Sequence, residues 1–112
     1  MDTSKTEQVL MRIFLGETDK YEGKLLYHEL LETLRDERIA GATVLRGIGG
    51  FGAKSHMHSA NLLSLTHNLP IIIEAVDSAE NIERVLPKIE NMVGDGLITF
   101  EKLKVIKRVQ NE

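Results

Sequence analysis

The chain has 112 residues, 42% hydrophobic and 28% charged, with 14 basic against 17 acidic side chains and a formal net charge of -3. That length holds one domain, expected to span residues 1–112, and the slightly acidic balance gives no global case for nucleic acid or an anionic membrane as partner. Cysteine is absent, which excludes disulfides, thiolate catalysis and Cys-type zinc sites.

The N-terminal stretch Met1-Asp2-Thr3-Ser4-Lys5-Thr6-Glu7-Gln8 is too polar for a signal peptide. The apolar run from Leu69 to Ile73 is far short of the roughly 20 residues that a membrane helix requires. Together these features point to a cytoplasmic protein with no direct membrane insertion. Residues 9–15 follow as a first strand, too short and too continuously apolar for a helix. A polar loop bounded by Gly16 and Gly23 comes next. A helix is predicted over 25–39, because Leu26, Leu30, Leu31, Leu34 and Ile39 recur near a 3.6-residue period. Gly41 is placed where a left-handed C-cap is expected.

Residues 42–48 read as a second strand, broken by Gly49-Gly50-Phe51-Gly52. Residues 53–68 read as a loop with a short helical turn near 60–65. A third strand is predicted over 69–76, with Pro70 suited to a first strand position. Asp77 or Ser78 caps a second helix, with Glu80 three residues after Asp77. Its apolar stripe includes Ile82, Val85, Ile89 and Val93, but Pro87 inside it is expected to kink or split the helix. Gly94-Asp95-Gly96 ends the helix. A last strand covers 97–109, with Phe100, Leu103, Val105 and Val109 as core candidates.

The order strand-helix-strand, strand-helix-strand is that of an α+β, ferredoxin-like βαββαβ fold, a four-stranded antiparallel sheet with two helices on one face. Such a sheet leaves its other face bare in a single chain. An apolar bare face is most simply hidden by further copies of the chain.

Four groups of residues invite a chemical reading. Three glycines within Gly49-Gly50-Phe51-Gly52 allow the backbone to approach a ligand and to form an anion-binding nest. The GxxxxGK[ST] spacing of a phosphate-binding loop is missing, and a plain loop tip is the competing reading. His56, His58 and His67 are metal candidates, but no cysteine or near carboxylate completes a ligand set. Glu17, Thr18 and Asp19, with Lys24 nearby, could carry acid/base chemistry or simply solvate a loop. The last strand carries Lys102, Lys104, Lys107 and Arg108, which can protect a sheet edge or meet phosphates.

Residues 41–52 and Gly94-Asp95-Gly96, followed by a strand ending in Lys107-Arg108, resemble the PII superfamily. The similarity is closer to an uncharacterised PII-like family of bacterial and archaeal proteins, and it runs from Val9 to Arg108. It is carried by residues 17–24, 40–52, 69–70, 76–78 and 92–99.

The resemblance implies a non-catalytic signalling or regulatory homotrimer that binds an adenine nucleotide (AMP, ADP, ATP or cyclic AMP) as effector in clefts between subunits, with no required cofactor. It implies a nucleotide site at Arg46, Gly49, Gly50, Phe51, Gly52, Gly94, Asp95, Gly96, Lys107 and Arg108, with Glu17, Thr18, Asp19 and Lys24 as additional candidates. Its partner would be an unidentified regulated protein, a membrane transporter among the candidates. Leu97 stands where PII proteins carry a phosphate-binding lysine, and the segment matching their T-loop is shorter and lacks tyrosine. Two alternatives remain: a CutA-like divalent-metal trimer using His56 and His58, and a small ferredoxin-like enzyme using Glu17 or Asp19 with Lys24.

Overall fold

The computed structural model describes residues 2–52 and 68–109, with side chains over 6–52 and 68–106. Its elements are β1 (Asp2–Gly16), β2 (Lys20–Tyr21), β3 (Lys24–Leu25), α1 (Leu26–Asp36), β4 (Ala42–Arg46), β5 (Pro70–Asp77), α2 (Ala79–Val93) and β6 (Leu97–Val109). The four long strands form one sheet in the order β4-β5-β1-β6, and every neighbouring pair is antiparallel. The fold is therefore the expected ferredoxin-like α+β arrangement. The small β2–β3 ribbon occupies a stretch whose polar, glycine-bounded sequence predicts only a loop.

Strand alternation divides the apolar residues between two faces. Met11, Ile13 and Leu15 of β1, with Ile71, Ile73 and Ala75 of β5, pack against Leu26, Leu30 and Leu34 of α1 and Ile82, Val85, Ile89 and Val93 of α2. These residues form the core, and Met11, Ile13, Leu30, Ile73, Val85 and Ile89 are fully buried.

Several local expectations are corrected. Helix α1 ends at Asp36, and the left-handed residue behind it is Arg38 (φ 63°), not Gly41. The Ile39 N–H donates to the Leu34 carbonyl at 3.0 Å and the Arg38 N–H to that of Arg35 at 3.0 Å, the paired bonds of a Schellman motif. The motif returns the Ile39 side chain to the core, which offsets the strain of a left-handed arginine.

Pro87 does not split the second helix. Buried Val85 and Ile89 flank it on the core side, while Pro87 itself is exposed, so packing outweighs the lost hydrogen bond. Ser78 is the N-cap, its Oγ accepting from the Asn81 N–H at 3.2 Å, so Glu80 completes no capping box.

Asp77 is buried beside that cap. It accepts from the Ala40 N–H at 2.9 Å, the Ser78 N–H at 2.7 Å and Asn81 Nδ2 at 3.0 Å. One carboxylate thus ties the end of β5, the start of α2 and the turn before β4. Burial pushes its pKa up, but the hydrogen bonds from Asn81, Ser78 and Ala40, with the charge of Arg84, outweigh burial and hold it below its ordinary value.

In β6, pairing places Phe100 opposite Met11 on the helix side of the sheet, where it stays half exposed. Leu103 and Val105 are an odd number of residues away and fall on the other face. They are not core residues. The predicted helical turn near 60–65 lies outside the described residues.

Candidate functional site

The site is built at the end of the sheet where β1 finishes and β5 and β6 begin. There the chain makes three turns that are stitched together through the backbone. The Glu17 N–H donates to the Leu69 carbonyl at 2.8 Å, and the Gly47 N–H to the Pro70 carbonyl at 2.7 Å. The Thr18 N–H donates to Asn68 Oδ1 at 2.9 Å. Asp19 folds back on its own turn, Oδ2 accepting from the Gly16 N–H at 2.9 Å. The Asp19 carbonyl accepts from the Leu26 N–H at 2.8 Å, giving a partner to an unpaired donor at the start of α1.

Arg46 forms an ion pair with Glu17. Both roots of the segment between Arg46 and Asn68 are therefore fastened to the turn that follows β1.

These turns enclose a cavity of about 380 Å³, within the size range of small-molecule sites. Gly50, Phe51 and Gly52 line it, and so do Asp95, Gly96 and Leu97. Phe14, Leu15 and Gly16 from the end of β1 also line it, with Asp19, Asn68 and Pro70.

The glycines have local reasons. At Gly50, φ is +148° and an added Cβ would lie 2.9 Å from Pro70 Cγ, so a side chain would be strained and would press on the cavity wall. At Gly96 an added Cβ would run into the Val93 side chain and lie 3.1 Å from the Phe14 carbonyl oxygen.

Of the site residues expected from sequence, Gly50, Phe51, Gly52, Asp95, Gly96 and the additional candidate Asp19 come together around this cavity. Gly94 supplies the turn beside it, with φ +62°. Gly49 precedes the lining residues. Arg46 and Glu17 sit at the loop root as a pair, and the exposed Thr18 contributes its backbone N–H. Lys24 belongs to the β2–β3 ribbon, paired with Tyr21.

Lys107 and Arg108 are in β6 opposite Ser4 and Thr3, and their side chains lie outside the described residues. Lys107 stands ten residue steps along the strand from Leu97, a run of about 33 Å at the usual rise per residue. Within one chain they are at the far end of the molecule from the cavity. His56, His58 and His67 lie outside the described residues.

Sequence reasoning did not place Phe14, Leu15, Gly16, Asn68, Pro70 or Leu97 among the site residues. Phe14 had a signal: it alternates with Met11, Ile13 and Leu15, so it must face away from the helices at the very end of β1.

Phe14 also belongs to the bare face of the sheet. Pairing places Leu45, Ile72, Phe14 and Leu97 side by side across all four strands as one apolar row. Leu45 is 44% exposed and Leu97 58%. The next row holds Glu74, Arg12 and Thr99. Arg12 donates to Glu74 at 2.8 Å and to Glu101 at 3.3 Å, and the Glu74 hydrogen bond, above all, raises its pKa. The cavity and the bare face therefore share the wall made by Phe14 and Leu97.

Beyond Val9, the segment Asp2–Gln8 pairs only with Leu103–Val109 among the described strands, so β1 and β6 continue as a two-stranded arm. No helix among the described residues is long and apolar enough to cross a membrane.

Comparison with known proteins agrees with this architecture. The chain is similar to structures of CPII from Thiomonas intermedia K12, a nitrogen regulatory PII-like protein. One, bound to ADP, AMP and acetate, has a TM-score of 0.63 and 16% identity, with 91% of each chain covered. A putative PII-like signalling protein from Thermus thermophilus is similar at a TM-score of 0.53 and 18% identity, covering 96% of this chain and 93% of that one. In sequence, a UPF0166 protein of Methanocaldococcus jannaschii is 42% identical over 99 residues, 88% of this chain and 91% of that protein. A UPF0166 protein of Aquifex aeolicus is 39% identical over 97 residues, 87% and 91% of the two. Residues 8–105 match the DUF190 family, described as "Uncharacterized ACR, COG1993", and the chain belongs to this uncharacterised family and shares its fold with the PII-like structures.

Proposed function

We propose that the protein is a non-catalytic, PII-like regulator that binds an adenine nucleotide in the cavity between Gly50-Phe51-Gly52 and Asp95-Gly96-Leu97, and that it works as a homotrimer. The observation that carries this reading is the cavity itself. It combines the rings of Phe14 and Phe51 with close glycine backbone and a few polar groups, the lining that suits a flat heterocycle with hydrogen-bonding edges. CPII, which shares the fold, was solved with ADP and AMP bound.

The assembly half of the proposal rests on the shared wall. A copy seated on the row Leu45, Ile72, Phe14 and Leu97 would cover an exposed apolar band. It would also close the cavity from the side of Phe14 and Leu97. The two-stranded arm supports the same reading, since such a ribbon is at best marginally stable alone in water. It would carry Lys107 and Arg108 away from their own cavity and toward a neighbour's. The nucleotide would thus sit in a cleft between subunits, its phosphates met by a neighbour's basic strand end.

Ligand contacts at Gly50, Phe51 and Gly52 would act on the segment that these residues begin, and a regulated protein, such as a membrane transporter, would read the difference. Calorimetric titration with AMP, ADP, ATP and cyclic AMP tests the nucleotide claim. Saturable heat with at least one is expected, and weaker binding on Phe51→Ala. No heat and no thermal shift with any of the four would remove it.

A further inference from the structure

The bare face of the sheet carries an island of charge. Glu74, Arg12 and Thr99 form the row directly behind Leu45, Ile72, Phe14 and Leu97. Val76 and Leu10 form the row after that, with Glu101 at its end. Leu10 is buried and Val76 half-buried. The charges therefore stand between aliphatic residues on a face that the proposed assembly covers. Covering a charge without a hydrogen-bonded partner is costly.

Within the chain the cluster is only partly satisfied. Arg12 Nε donates to Glu74 Oε2 at 2.8 Å, a short charge-assisted bond. Nη1 donates to Glu101 Oε2 at the longer distance of 3.3 Å. A guanidinium has five N–H donors, so three of them have no protein acceptor among the described residues. Glu101 is the most open member, its side chain 61% exposed against 37% for Arg12 and 31% for Glu74. The face thus offers spare donors at Arg12 and a spare acceptor at Glu101, one diagonal step apart on neighbouring strands. A surface that holds both halves of an ion pair is complementary to a copy of itself.

On the homo-oligomer reading, on which this inference rests, we infer that Arg12 and Glu101 are the register-determining residues of self-association. The Nη donors of Arg12 in one copy take Glu101 of the neighbouring copy, while Nε keeps Glu74 of its own chain. An apolar row alone slides at little cost. A charged pair in an otherwise apolar seam is satisfied in one alignment and left unpaired in the others.

The test is charge reversal followed by mixing. Arg12→Glu sets like charges against Glu101 of the neighbour, and Glu101→Arg sets like charges against Arg12. Each variant alone should associate about tenfold or more weakly than the wild type, by sedimentation equilibrium. Mixed in equal amounts, the two present opposite charges to each other, and association should recover. Pairing confined to one chain predicts no recovery, because each variant keeps its own broken cluster after mixing.

Glu101→Gln is the milder variant and reads the same claim if a reversal does not fold. Glu101 is exposed, so this change should leave the urea midpoint of a dilute sample nearly unmoved, yet loosen association. Association unchanged in Glu101→Gln, or no recovery on mixing the folded reversals, overturns the role of the pair and leaves the assembly standing. A wild type that keeps the mass of one chain at every concentration brings down both.

Discussion

On the helix side of the sheet, Ile13 and Ile73 are wholly buried beneath Leu30 and Ile89. On the other side of the same strands, Leu45 and Leu97 remain 44% and 58% exposed. Both faces are rich in branched aliphatic and aromatic residues, and both alternate along β1 and β5. The difference lies in what the chain supplies as cover. Two helices close the first face, while the second ends in an apolar row, a cluster of Arg12 with Glu74 and Glu101, and an open cavity. A face finished by its own chain is a stability device. A face left unfinished, with a cavity sharing its wall, is where the proposed function seats another copy of the chain.

Substitutions should separate the two faces cleanly. Ile13→Ala empties a fully buried position and should cost about 2–5 kcal/mol of unfolding free energy, read from urea or thermal melts. A cost below about 1 kcal/mol would mean that the helix side is not the closed core described here.

Asp77→Asn should cost about 2 kcal/mol at neutral pH, because one of three donors loses its acceptor and an N–H is turned toward another. The carboxyl is depressed in the folded state, so its contribution is complete above the unfolded value near 3.8 and is lost as pH falls through the lower folded value. The stability gap between wild type and variant should therefore be constant from neutral pH down to about pH 5 and close below about pH 4. A gap that persists in acid would remove the ionised carboxylate from the account.

Leu45→Ser, on the open row, should change the stability of a dilute sample by about 0.5 kcal/mol or less. It should nevertheless weaken self-association, seen by light scattering across a dilution series. Association unaffected by this change would take the row out of the interface.

The same contrast shows what could be read from the residues alone. The stripe of α2 was legible through Pro87, because Ile82, Val85, Ile89 and Val93 keep their spacing on both sides of it. The split expected at Pro87 failed because local propensity gave way to packing. The helix was expected to run to Ile39 with its left-handed cap at Gly41, and this failed because a hydrophobic return, Ile39 into the core, can hold Arg38 in a left-handed conformation that sequence rules assign to glycine.

The extension of β1 back to Asp2 was not legible. Its residues are polar, and what makes them strand is pairing with β6, about a hundred residues away in the chain. The glycines and Asp95 of the site were visible from local motifs. Phe14, Asn68 and Pro70 were not singled out, since they become neighbours only when the sheet brings three separate turns to one end.

The central claim is that the unfinished face is completed by other copies of this chain, which also complete the cavity. Sedimentation equilibrium of the wild-type protein tests it most directly. The account predicts a particle of about three times the 12.6 kDa chain mass, and a species that stays at the mass of one chain at every concentration would contradict it.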